Sequence, residues 1–179
     1  QELIERIGAP FEQDVRYFFG ENESEQVELF RKLIQKYWIN GIKDSAKTFE
    51  GIHQMLEELK EKGYKLAVCS NASNWELDVI LKKLEVKDYF DVIQGVTSKN
   101  NKKYSLEELL LREKPELAVM VGDRSYDNEA ARYNQIPFVG CKYGYGKPEE
   151  LRECQYTIET VLELPKIIDK IVSIRGGTA

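Results

Sequence analysis

Cysteine and histidine are scarce in this chain of 179 residues, and long apolar runs are missing altogether. The three cysteines, Cys69, Cys141 and Cys154, are odd in number and widely spaced. That excludes a disulfide framework and a CxxC zinc site, and it fits reduced thiols in a cytoplasm. Cys69 falls in an apolar strand pattern and reads as core rather than as a reactive thiol. The single histidine, His53, sits mid-helix beside Met55 and Leu56; with no partner histidine it reads as structural. No stretch approaches the roughly 18 apolar residues of a membrane span, and the N-terminus lacks a signal-peptide pattern. The formal net charge of −5 comes without a clustered positive field, which argues against a nucleic-acid surface. Repeats and low-complexity segments are absent too.

What the chain has is a 42% apolar share, enough for a real core, and a 32% charged share. Its length fits one domain of ordinary size or a core with a small appendage. Up to about residue 46 the spacing is purely helical. Asp14 to Phe19 and Gln26 to Trp38 carry apolar residues at helical intervals, among them Val27, Phe30, Leu33, Ile34, Tyr37 and Trp38. That aromatic stripe, with Tyr17, Phe18 and Phe19, reads as the core of a small bundle, and Ser24 as an N-cap. From Lys47 the pattern alternates. Gly51 to Lys62 is helical and ends at Gly63; Tyr64 to Cys69 is a strand; Ser73-x-x-Glu76 is a capping box opening a helix to Leu84. Phe90 to Val96 is a second strand, and Ser105-x-x-Glu108 reads as a second capping box before Leu106 to Arg112. Leu117 to Val121, Pro137 to Gly140 and Thr157 to Ile158 follow as strands, with a terminal helix from Leu164 to about Ile174. Such alternation predicts a parallel α/β sheet with right-handed crossovers.

The most informative stretch is Ala118 to Asp127, where an apolar run ends in Gly122-Asp123 and a second carboxylate, Asp127, follows at the start of a helical pattern. Both carboxylates then lie at the C-terminal end of a buried strand, where ligands bind in open α/β sheets. Their mutual repulsion is relieved when a divalent cation such as Mg²⁺ sits between them. The plainer reading makes Asp123 a helix cap and Asp127 a first-turn residue. Ser70-Asn71 follows a strand and precedes a helix, which suits a phosphate oxygen; a turn with two capping residues is the alternative. Ser70 has no Ser-His-Asp partner set and is not read as a nucleophile. Lys99, Lys102 and Lys103 precede the Ser105 pattern, and a lysine there would reach a phosphate and a carboxylate together. Tyr143-Gly144-Tyr145-Gly146 lacks P-loop or GxGxxG spacing and reads as a flexible loop beside the site.

Taken in order, Ser70-Asn71, a lysine before a helix, and Gly122-Asp123-x-x-x-Asp127 resemble the haloacid dehalogenase superfamily, in its phosphoglycolate-phosphatase-like branch. Ile7 to Glu12 looks like that branch's cap, Lys62 to Val68 like its approach to the second motif, and Tyr143 to Gly146 like the loop beyond the fourth. The resemblance implies a Rossmann-like parallel sheet with a small helical cap of the C1 type, the cap at residues 1–46 and the α/β core at 47–179. It also implies a Mg²⁺-dependent phosphatase acting on a small phosphorylated metabolite, with Asp123 and Asp127 at the metal. Ser70 and the Asn71 backbone would hold the phosphoryl group. Lys103 is the expected motif lysine, with Lys99 and Lys102 as rivals.

One part of the family pattern is absent. No Asp-x-Asp-Gly occurs in the chain, so the family's first motif, which supplies the aspartate nucleophile and the acid/base, is missing. In the family that motif's strand lies between the Ser70 strand and the Asp123 strand, so both are expected to show bare inner edges. With Gln1 in place of a methionine, the expectation is an upstream segment of about one strand and one cap helix, and no phosphatase turnover from these residues alone. Two rivals stay open: a catalytically inactive protein of the same fold that binds phosphate, Mg²⁺ or a protein, and an unrelated Rossmann-like or receiver-like domain. The sequence says nothing of the oligomeric state.

Overall fold

The structure, a computed structural model, describes residues 6, 8–9, 11–20, 25–99 and 101–176. The expected cap at Ser24, and Ile7 and Pro10 of the cap-like stretch, lie outside them. Among the described residues the regular structure before Ala46 is helical only: α1 (Phe11–Phe19) and α2 (Glu25–Ser45). Phe30 gathers the rings of Phe11, Phe18 and Phe19 at 6.2, 5.7 and 4.9 Å, and Val27 is buried. The expected aromatic core is otherwise thin. Leu33, Ile34 and Tyr37 are exposed, Tyr37 at 69%, because α2 has no second layer along that face among the described residues.

The rest alternates: α3 (Ile52–Glu61), β1 (Ala67–Cys69), α4 (Asn74–Lys83), β2 (Val92–Gln94), α5 (Lys102–Glu113), β3 (Met120–Gly122), α6 (Ser125–Tyr133), β4 (Phe138–Cys141), β5 (Tyr156–Ile158) and α7 (Leu164–Gly176). Every ladder is parallel. β1 pairs with β2 with Ala67 opposite Val92, while β3–β4–β5 pair with Met120 opposite Phe138 and Val139 opposite Tyr156. Successive side chains on β4 point to opposite faces, so the strand feeds two cores. Val139 and Cys141 join Met55, Leu59, Ile158, Ile168 and Ile171 beneath α3 and α7. Phe138 joins Leu106, Leu109, Met120, Ala130 and Ala131 beneath α5 and α6. The strands form two parallel sheets, β1–β2 and β3–β4–β5, covered by helices, the parallel α/β class that the alternation implied. Among the described residues β1 and β3 each pair on one side only, as the family resemblance leads one to expect.

Local chemistry explains most helix starts. The Ser73 box is formed: Ser73 Oγ accepts the Glu76 N–H at 3.3 Å, and Glu76 Oε2 accepts the Ser73 N–H at 2.7 Å. The Ser105 box is a correction. Asn101 caps α5 instead, its Oδ1 accepting the Lys103 N–H at 3.1 Å. Asn is as good a cap as Ser, so the helix begins a turn earlier and Ser105 falls inside it. There its fully buried hydroxyl accepts the Thr97 N–H at 3.1 Å and donates to the Asn101 carbonyl at 3.4 Å. The His53 ring meets the Tyr89 ring edge-on at 5.9 Å.

Candidate active site at the strand ends

Asp127 is the centre of the site. Helix α6 starts at Ser125, so Asp127 stands in its first turn and turns back under β3. Its Oδ2 accepts the N–H groups of Asp123 and Arg124, each at 3.1 Å. Its Oδ1 accepts Lys102 Nζ at 2.5 Å. The pair is nearly dry, with side chains 13% exposed for Lys102 and 6% for Asp127. This close return requires Gly122, since a Cβ there would run into the Asp127 side chain.

The structure brings Lys102 to the carboxylates and leaves Lys103 out. With Asn101 as cap, Lys102 is the first helical residue, and the next one is turned about 100° around the axis. Lys103 Nζ accordingly lies over the rings of Tyr104 and Tyr133, at 5.1 and 5.4 Å. Lys99 pairs loosely with Glu107 at 3.8 Å. The backbone of α5 is tied to α6 as well, by Asn134 Nδ2 donating to the Lys103 carbonyl at 2.9 Å.

Asp123 sits beneath the Tyr143–Lys147 loop. Its Oδ2 accepts the Tyr145 N–H at 2.5 Å, and its other oxygen stays outside that bond. A Cβ on Gly144 would strike the Asp123 carboxylate, and one on Gly146 the Asp123 carbonyl, which is why this loop is glycine-rich. Below it, burial pushes the Cys141 thiol up to about 11 and, with the Cys141 contact, raises the Tyr143 phenol further.

Ser70 and Asn71 end β1. Ser70 Oγ accepts the Ala72 N–H at 3.1 Å, and Ser70 N–H donates to the Gln94 carbonyl at 3.0 Å. Asn71 Nδ2 donates to the Gly8 carbonyl at 3.0 Å, while its buried Oδ1 meets no partner among the described residues. Gly8 also lies beside the Arg124 side chain, so the Arg6–Ala9 turn spans from the end of β1 to the end of β3. The neighbouring Cys69 is half-buried, and burial pushes its thiol up to about 11. Lys102 opposes that rise and Asp127 adds to it, so β1 ends within electrostatic reach of the pair.

Sequence reading missed Glu150. Its side chain is 17% exposed and bonds Ser125 N–H at 2.7 Å, Arg124 Nε at 3.2 Å and Lys147 N–H at 3.0 Å. Burial raises its pKa, yet these donors prevail and hold it down at about 2. The signal was present as Pro148 followed by Glu150, a proline at the first position of a short helix with an acid in its first turn.

Among the described residues no three His, Cys, Asp or Glu side chains gather as a metal cage. The donor set is therefore sparse, with one available Asp123 oxygen and an Asp127 already engaged. It suits a hard cation that keeps several waters and is completed by substrate oxygens, as Mg²⁺ is. Chemically, the arrangement offers a buried positive charge, an oriented carboxylate, and hydroxyl and N–H donors at parallel strand ends.

Comparison with known proteins agrees with this arrangement. The family profile "Haloacid dehalogenase-like hydrolase" matches residues 1–141. Tyrosine-protein kinase PtkA of Mycobacterium tuberculosis is 28% identical over 160 residues, covering 86% of this chain and 54% of that protein. Phosphoglycolate phosphatase of Salmonella typhi is 32% identical over 130 residues, covering 70% of this chain and 52% of that protein. The chain thus spans about half the length of the curated relatives it matches. A crystal structure described as a predicted phosphatase from Clostridium acetobutylicum superposes with a TM-score of 0.82 at 25% identity, covering 94% of this chain and 81% of that one. With the profile spanning most of the chain and the strand-end motifs in place, the protein belongs to the haloacid dehalogenase-like hydrolases, on the branch that includes the phosphoglycolate phosphatases.

Proposed function

We propose that the protein is a Mg²⁺-dependent phosphatase of small phosphorylated metabolites, working through an aspartyl-phosphate. The attacking carboxylate is not among these 179 residues, because no Asp-x-Asp-Gly occurs in them. One observation carries the reading: a dry Lys102–Asp127 pair set directly beside Asp123 at parallel strand ends. In this reading the Asp123 oxygen outside the Tyr145 bond is the direct metal ligand. Asp127, with both oxygens engaged, orients Lys102 and the Asp123 backbone. When bound, Mg²⁺ neutralises charge on the phosphoryl oxygens. The Ser70 hydroxyl and the Asn71 N–H hold phosphoryl oxygens at the start of α4. Lys102, rather than Lys103, places its charge where the phosphoryl group and the nucleophile meet. Residues 1–46 act as the cap that closes over the site and excludes water, with the core at 47–179. The Gly8–Asn71 bond supports that placement. The three free thiols fit a reducing cytoplasm.

The test is hydrolysis of a panel of phosphate monoesters, with Mg²⁺ and after chelation, by protein that carries a first-motif aspartate ahead of Gln1, with residues 1–179 alone as the inactive control. The expected result is Mg²⁺-dependent turnover that falls by about a hundredfold or more in Lys102→Ala, and that is abolished in Asp123→Asn. Turnover surviving chelation, or indifferent to Lys102→Ala, would sink the assignment. The likeness to a tyrosine kinase favours a second reading in which a tyrosine hydroxyl, not water, receives the phosphoryl group. Phosphate transfer from ATP to a tyrosine peptide, without release of inorganic phosphate from the monoesters, selects it.

A further inference from the structure

Glu150 has no part in the proposed chemistry, yet it is among the most heavily bonded carboxylates near the site. It stands in the short 3₁₀ helix Pro148–Leu151, which is anchored by Leu151. That leucine is 5% exposed and packs in the core with Met120, Phe138 and Ala130. Its two oxygens serve two separate chain segments. Oε1 accepts the Lys147 N–H, at the end of the glycine loop. Oε2 accepts Ser125 N–H and Arg124 Nε, in the turn between Asp123 and Asp127. A mere cap of its own short helix would need only the first bond. The second set joins the loop that crosses Asp123 to the turn that bears Asp123. Between those two fixed points Tyr145 N–H reaches Asp123 Oδ2.

We propose that Glu150 is a positioning residue: it clamps the Tyr143–Lys147 loop to the Arg124–Ser125 turn and so fixes the carboxylate of Asp123 for cation binding. The clamp rests on the reading of Asp123 as a metal ligand. Removing a partner that orients a ligand commonly weakens metal affinity by about 10- to 100-fold. The anchored Leu151 keeps the short helix seated in a variant, so an effect at the lower end is expected.

The experiment compares Glu150→Gln with Glu149→Gln in the full chain. Glu149 is exposed, and its loss removes the same charge one residue away. Manganese affinity is read by electron paramagnetic resonance, with Asp123→Asn marking the site. Amide hydrogen exchange is read at Tyr145 and Lys147, and thermal unfolding confirms that each variant is folded. Glu150→Gln should weaken manganese binding by about tenfold and speed exchange at both amides, while Glu149→Gln leaves both near wild type. Equal weakening in the two variants would reduce the effect to net charge and overturn the clamp. Wild-type protein that binds no manganese would defeat the reading of Asp123 instead. In that event unchanged Tyr145 exchange in Glu150→Gln defeats the clamp as well, whereas faster exchange upholds its structural half.

Discussion

Replacing Lys102 with methionine keeps most of the side chain's length and its apolar stem but removes the charge opposite Asp127. The consequence follows from how dry the pair is: Asp127 is 4% exposed overall, and the two side chains are 6% and 13% exposed. Taking one partner from a buried ion pair costs about 3–5 kcal/mol, because the other charge is left uncompensated in a poor solvent. Here Asp127 retains two backbone N–H donors from Asp123 and Arg124. Hydrogen bonds to a charged group contribute about 1.5–3 kcal/mol each, so these two hold part of the charge. A loss of about 2–4 kcal/mol is therefore expected. At this chain length it lowers Tm by about 2–4 °C for each kcal/mol, giving a drop of roughly 4–16 °C. Lys103→Met, which removes a charge lying over two exposed-edge rings, should cost under about 0.5 kcal/mol. The assay is urea unfolding of the full chain for Lys102→Met, Asp127→Asn and the double variant. The double variant should recover much of the loss, because the uncompensated charge is gone in it. Equal, small effects for Lys102→Met and Lys103→Met would refute the argument that α5 begins at Lys102 and aims that residue into the site.

Four further outcomes are expected. Gly144→Ala should displace the loop, since its Cβ meets the Asp123 carboxylate, and cation affinity should fall with little change in Tm; unchanged affinity would remove the loop from the site. Ser105→Ala leaves the partly buried Thr97 N–H without its acceptor beside the fully buried Ser105 position and should cost about 1–3 kcal/mol, more than the roughly 1 kcal/mol of Asn101→Ala; urea unfolding ranks the two. Glu150, held at about 2, contributes stability that is fully present above its unfolded value near 4.5 and disappears as pH falls toward about 2. The stability difference between wild type and Glu150→Gln should thus stay flat from pH 6 to 8 and shrink below about 4.5; a difference that widens in acid contradicts the sign. Cys69 and Cys141, both pushed up to about 11, should react with iodoacetamide at pH 8 far more slowly than an open thiol, and rapid labelling of the folded chain would show their burial to be wrong.

How far the sequence could be read follows from which signals are local. The alternation of short apolar runs with capped helices was enough for a parallel sheet, because such a sheet is buried on both faces and needs no register information to be recognised. The Ser73 box formed because two residues three apart satisfy each other regardless of the rest of the fold. Ser105 carried the same pattern and misled. The competing cap at Asn101 satisfied the helix, and the Thr97 N–H claimed the hydroxyl, a tertiary demand that no window of neighbouring residues reveals. That shift of one turn also decided which lysine enters the site. Counting helical apolar positions back from Leu106, Leu109 and Leu110 favours Lys103, whereas in the structure Lys102 meets Asp127 and Lys103 lies over the Tyr104 and Tyr133 rings. The carboxylates were legible as a pair, yet their division of labour was not. Asp127 bonds Lys102 and two N–H groups, while among the described residues only one Asp123 oxygen is bonded, by Tyr145 N–H; the Asp127 geometry depends on Gly122 letting its side chain fold back. Glu150 lies 27 residues beyond Asp123, and its bonds to Arg124 and Ser125 exist only because β4 returns the chain beside β3. A site whose parts meet through strand pairing is written in the sequence as composition and order. Its orientation is fixed by bonds that form only once the sheet has brought distant segments together.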